Sequence, residues 1–147
     1  MDLEELYQDV ILDHSRRPRN FGELRDADSQ ARGDNPACGD EVTVYIKFGE
    51  HDRLDAVSFT GDGCSICMAS ASMMTRKVKG RSRAESADLV RQFKEMLTSE
   101  APSGEHLGDL ALLKGVRKFP ARVKCATLPW HALDQALRIP KAAPAAL

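Results

Sequence analysis

The stretch Cys38-Gly39-Asp40-Glu41-Val42-Thr43-Val44-Tyr45-Ile46-Lys47-Phe48 sets both the fold and the site. Val42, Val44, Ile46 and Phe48 alternate with Thr43, Tyr45 and Lys47, the period-two pattern of a strand with one buried face. A polar turn at Gly49 to Arg53 separates it from a second strand, about Leu54 to Thr60, so the two form a hairpin.

Outward from the hairpin the pattern becomes helical. Gly61-Asp62-Gly63 ends the second strand, and the small apolar residues from Ser65 to Val78 predict a tightly packed helix that closes near Gly80. Cys64 then lies at its N-terminus, where exposed amides and the helix dipole favour a thiolate. Ser82 and Glu85 form a capping box for a helix to about Thr98, with Leu89, Val90, Phe93, Met96 and Leu97 as its apolar face. Ser99 to His106 reads as a loop and Leu107 to Leu113 as a short helix. A last helix is expected from near Lys124 to about Ile139, which puts Pro129 in a first turn whose amides lack internal partners. Upstream, Leu3, Leu6, Tyr7, Val10 and Ile11 recur at helical spacing, giving an amphipathic helix from Asp2 to His14 with Asp2 and Glu5 as a capping box. Pro18 ends it.

With 147 residues, the chain is long enough for one domain with its own core, assigned to residues 1–140. The alanine- and proline-rich segment 141–147 is expected to be a flexible tail. The formal net charge of -1, from 21 basic and 22 acidic residues, gives no electrostatic case for nucleic acid. No apolar run approaches the ~18 residues of a membrane helix, and the acidic start Met1-Asp2-Leu3-Glu4-Glu5 lacks the regions of a signal peptide. A cytoplasmic location is expected, where clustered cysteines point to metal or redox chemistry more than to disulfides.

Cys38, Asp40, Cys64 and Cys125 make a four-ligand set of the kind that holds zinc in a tetrahedron. Three thiolates and a carboxylate around a dication leave a formal charge of -2, which Lys124 and Arg122 can partly offset. The carboxylate is the harder ligand among soft thiolates, an unusual choice for a purely structural site, and it suggests one built to exchange a ligand. Any of these cysteines taken alone is more often a small core residue. Cys67, one turn into the Ala/Ser/Met helix, is assigned to packing, with a resolving or spare thiol as the alternative. A thioredoxin-like role for Cys64 and Cys67 lacks the surrounding βαβ pattern. His14 is assigned to the carbonyls ending the first helix, His51 and His106 to solvent, and His131 to a face away from Cys125. The basic clusters Arg76-Lys77-Lys79-Arg81-Arg83 and Arg117-Lys118 read as solvated faces or as a dock for an acidic partner protein.

Leu6-Tyr7 with Val10 to His14, Pro18-Arg19-Asn20, Asn35-Pro36-Ala37-Cys38-Gly39-Asp40, Gly63-Cys64-Ser65-Ile66, Met68 to Thr75 and Phe119 to Leu128 resemble the SufU proteins, within the superfamily of IscU-type iron-sulfur assembly scaffolds. The likeness runs from about residue 3 to 139. Lys124, standing where IscU-type scaffolds carry a histidine ligand, and the longer segment between Gly80 and Cys125 point to the SufU branch. The resemblance implies an α+β fold, a small antiparallel sheet packed against several helices, with a zinc site at one end. By matching motif positions the ligands fall on Cys38, Asp40, Cys64 and Cys125.

It further implies a zinc-dependent sulfurtransferase that accepts persulfide sulfur on Cys38 from a SufS-type cysteine desulfurase and passes it to SufBCD. A histidine of the desulfurase would replace Cys38 on the metal, and Gly39 would let the loop move. Arg122 matches the family's arginine beside the last ligand. The alternatives are a scaffold that binds a transient iron-sulfur cluster on the same residues and a zinc-stabilised interaction module. Cys67 and Pro129 depart from the family pattern.

Overall fold

The computed structural model describes residues 8–99 and 104–139. Three strands, β1 (Ser29–Asn35), β2 (Asp40–Phe48) and β3 (Leu54–Asp62), form an antiparallel sheet in the order β1-β2-β3. The helices are α1 (Asp9–Arg16), α2 (Ser65–Val78), α3 (Arg83–Thr98) and α4 (Pro120–Arg138), with a 3₁₀ segment at Glu105–Lys118. This is the α+β fold the sequence predicts. Among the described residues no helix is long and apolar enough to cross a membrane.

The central strand carries the predicted alternation except at Tyr45, which is also buried. Val42, Val44, Ile46 and Phe48 are buried, and α4 lies against β1 and β2. β1 has no such signature: Ser29-Gln30-Ala31-Arg32-Gly33-Asp34-Asn35 is nearly all polar, and pattern reading misses it. It forms because β2 supplies a full antiparallel partner from Ser29–Ile46 to Asn35–Asp40. α4 covers its inner side, where a Cβ on Gly33 would meet Leu128 Cδ1 at 2.9 Å and the Ser29 hydroxyl donates to the Ala136 carbonyl at 2.6 Å.

α2 and α3 occur as expected. Cys64 is the N-cap of α2, and Ser82 and Glu85 form the reciprocal capping box of α3. Four other expectations are corrected. α4 begins at Pro120, not near Lys124, because a proline with its fixed φ starts a helix well. Pro129 therefore lies inside α4, where it removes one backbone hydrogen bond. The short helix at 107–113 is a longer 3₁₀ segment kinked at Gly108, whose φ is +63°. α1 extends to Arg16, while its expected start and the capping residues Asp2 and Glu5 lie outside the described residues, as does the tail 141–147. Arg83 is not a solvated charge: its guanidinium lies 4.1 Å from the Phe48 ring centroid, pairs with Asp52 at 3.0 Å and donates to the carbonyls of Leu137 and Ile139.

The helical layer is locked around Trp130. It is fully buried, stacks on Phe93 at 4.4 Å and donates from Nε1 to Ser70 Oγ at 3.0 Å. Ser70 in turn donates to the Ala126 carbonyl at 2.6 Å, so α2 and α4 are joined by a satisfied polar chain inside an apolar contact.

His14 also departs from expectation. It does not close the end of α1; it is buried, with Nδ1 2.7 Å from Ser72 Oγ on α2. Burial, followed by the positive field of Arg19 and Arg76, pushes its pKa below the ordinary value. The folded protein thus takes up this proton at lower pH than the unfolded chain. The neutral ring's contribution is complete above about pH 6.5 and is lost as pH falls through the folded value. We expect the urea unfolding midpoint to drop between pH 7 and pH 5, and the drop to be smaller in His14→Gln. An equal drop in that variant would assign the dependence elsewhere.

Candidate metal centre

The end of the sheet assembles the site from three parts of the chain. The turn joining β1 to β2 presents Cys38, held by its amide to the Asn35 carbonyl at 3.1 Å. Gly39 follows at φ +71°, and a Cβ there would meet nothing within 4 Å. The space is open, but the left-handed step is one that other residues adopt at a cost. Asp40 opens β2. Because Glu41 pairs with Asp62, the chain leaving β3 passes beside Asp40 on its way into α2.

Asp40 is buried, 2% exposed, and its Oδ1 accepts the Cys64 amide at 2.9 Å. Its Oδ2 lies 4.0 Å from Cys64 Sγ. The positive end of α2 favours a carboxylate here. Gly63 permits the approach: a Cβ there would stand 3.0 Å from Asp40 Oδ1 and 3.2 Å from Cys67 Sγ. In the sequence Gly63 reads only as a strand terminator. Its role in the site depends on which atoms the fold brings against it.

Cys125 comes from α4, fully buried, with its thiol 3.7 Å from the Ala121 carbonyl. Burial and then hydrogen bonding with Asp40 and Cys64 push that thiol's pKa up. Cys38 Sγ, Cys125 Sγ and an Asp40 oxygen lie within 4.8 Å of one another. Three of the four expected ligands thus form a cluster, and Cys64 borders it through Asp40. Cys67 is fully buried behind them, consistent with packing, and burial raises its pKa.

The donor set fits zinc. Ligand atoms around a tetrahedral zinc ion stand about 3.3–3.8 Å apart, and three of the four expected donors lie within 4.8 Å of one another. Cys38 is exposed on a turn that contains Gly39, where the backbone has room to adjust. Lys124, exposed, lines a cleft with Cys38, Asn35 and Ala121, where its charge would partly offset that of metal-bound thiolates. Among the described residues no histidine joins the cluster. His51 and His131 are exposed, and His106, also exposed, is hydrogen-bonded to Gln92.

The family model described as NifU-like N terminal domain matches residues 6–126. The chain is 44% identical over 137 residues to the iron-sulfur cluster assembly scaffold protein IscU of Streptococcus pyogenes serotype M1, covering 92% of this chain and 85% of that protein. It is 43% identical over 135 residues to the zinc-dependent sulfurtransferase SufU of Bacillus subtilis, covering 91% and 90%. Among solved structures, an iron-sulfur cluster assembly scaffold protein for the SUF system from Fervidobacterium islandicum superposes with a TM-score of 0.86 at 31% identity, covering 93% of this chain and all of that one.

Asp40 tethers the start of α2 through the Cys64 amide and is a candidate ligand, and the two roles are separable. In chelator, Asp40→Ala should lose about 1 kcal/mol of stability, the usual worth of a side-chain bond at a helix start, whereas Asp40→Asn keeps an acceptor and loses less. Both should weaken cobalt(II) binding read from thiolate charge-transfer absorbance. Metal-free Asp40→Ala as stable as the parent in urea would refute the tether.

Proposed function

The chain belongs to the NifU-like N-terminal domain family, and on that premise we propose that it is an iron-sulfur cluster assembly protein working as a zinc-dependent sulfur acceptor. In this reading residues 1–140 act as one cytoplasmic domain. It takes persulfide sulfur from a SufS-type cysteine desulfurase and passes it to a SufBCD-type complex. The observation that carries the reading is the exposure gradient of the thiols: Cys38 is exposed, Cys64 half-buried, and Cys67 and Cys125 buried. A partner's persulfide has access to one sulfur of the cluster above all others.

Cys38, Asp40, Cys64 and Cys125 would hold the zinc. When bound, zinc keeps cysteine ligands as thiolates at neutral pH. Cys38 Sγ then attacks the terminal sulfur of the partner's persulfide. The Cys38–sulfur bond forms, the partner's sulfur–sulfur bond breaks, and the partner's cysteine leaves as a thiolate. No oxidant is consumed, since the sulfane sulfur only changes its bond partner. Asp40 stays fixed by the Cys64 amide and Cys125 by the core, so the exposed turn does the moving. Lys124, beside Cys38 in the cleft, supplies positive charge near the attacking and leaving sulfurs.

A scaffold role is the second reading, favoured by the name of the Streptococcus relative and by three cysteines and a carboxylate that suit iron as well. Lys124, in place of a histidine ligand, weighs against it.

Cysteine-dependent alanine production by a SufS-type desulfurase, with a reductant regenerating the acceptor, should rise on adding the zinc-loaded protein. The rise should vanish with Cys38→Ser and survive Cys67→Ser. No stimulation by folded, zinc-loaded protein would reject the acceptor role and leave the scaffold.

A further inference from the structure

A second set of convergent polar groups lies away from the cysteines, between α1, α2 and the 3₁₀ segment. There a cavity of about 220 Å³ is walled by Met73, Leu107 and Leu110 and carries His14, Arg76, Lys77 and Asp109. The protonation of His14 follows from its neighbours. Ser72 Oγ accepts the Arg19 amide at 2.8 Å, and the hydroxyl has one hydrogen left. It is fully buried, and its remaining contact is His14 Nδ1 at 2.7 Å. A buried hydroxyl hydrogen finds an acceptor, so Ser72 donates to Nδ1 and the neutral ring carries its proton on Nε2. Among the described residues Nε2 has no hydrogen-bond partner, while His14 as a whole is only 3% exposed. The cavity wall therefore contains an unused N–H donor.

The charged groups around it are unused as well. Arg76, Lys77 and Asp109 form no ion pair among the described residues. Lys77 Nζ lies 4.0 Å from where a Cβ on Gly108 would stand, which brings the ammonium to the residue before Asp109. Arg76 and Asp109 both act electrostatically on the His14 ring, one from each sign. Two cations and an N–H donor suit a carboxylate, one carboxylate suits an ammonium, and an apolar wall suits a small side chain. Ligand pockets for drug-sized molecules start at about 300 Å³, so this cavity fits something smaller.

We propose that this cavity binds a small zwitterion of the α-amino acid class, its carboxylate on Arg76, Lys77 and His14 Nε2–H, its ammonium on Asp109 and its side chain against Met73, Leu107 and Leu110. The site is independent of the cysteine cluster and of the sulfur-acceptor reading.

The test titrates the full chain with L-leucine, with 4-methylpentanoate, which lacks the ammonium, with 3-methylbutylamine, which lacks the carboxylate, and with inorganic phosphate. The His14 ring signals in NMR report occupancy. Leucine should bind at least about tenfold tighter than either fragment, a difference one additional charged contact supplies. Lys77→Met should abolish binding. Asp109→Asn should bring leucine down to the affinity of 4-methylpentanoate. Asp109 is exposed and Lys77 half-buried, and unchanged circular dichroism and thermal midpoints will separate lost binding from lost folding. Equal affinities for leucine and its fragments, a response to phosphate alone, or no shift with any probe would each overturn the proposal.

Discussion

The bond from the Cys64 amide to Asp40 Oδ1, at 2.9 Å, is the constraint on which the rest of the site depends. Asp40 is the first residue of β2 and Cys64 the residue that starts α2, so one carboxylate fixes the end of the sheet to the start of a helix. The register of β2 with β3 brings the two ends together, and Gly63 leaves the space for them to touch. A buried carboxylate needs such partners, since a charge taken out of water without hydrogen bonds is costly. The helix start provides a donor and a favourable dipole at the same place.

Around that fixed point the cysteines are graded in exposure. Cys125 is held in α4 and Cys67 in α2, both fully buried, while Cys38 rides an exposed turn whose glycine sits at φ +71°. Buried ligands define where a metal would sit; an exposed one decides what can reach it. This separation of roles follows from the elements themselves, because helix interiors fix side-chain direction and a short turn between strands does not.

The framework behind the site relies on α4. It covers the sheet, brings Cys125 to the cluster and anchors Trp130 against Phe93 and Ser70. The helix does so with Pro129 inside it, at the loss of one backbone bond that intrinsic propensity would count heavily. Burial of Leu128, Trp130, Leu133 and Leu137 outweighs that loss, which is how tertiary packing commonly overrides propensity.

Much of this is legible in the residues. Alternation in β2, the Ser82–Glu85 capping box and the cysteine positions are local or motif-level signals, and Cys38, Asp40 and Cys125 do meet in space. The rest depends on contacts between distant segments. β1 is polar and is a strand only because β2 offers it hydrogen bonds and α4 covers it. Local rules start α4 too late, since they forbid Pro129 in an interior and cannot weigh the packing that retains it. They place His14 at a helix end, because nothing near it in sequence announces Ser72. The sequence by itself determined which residues alternate, cap and carry metal-binding side chains, for these depend on short-range geometry and on the chemistry of the side chain. Only the tertiary structure decided which cysteine faces solvent, what His14 bonds to and why Gly63 must be small, since exposure and contact are properties of the packed chain.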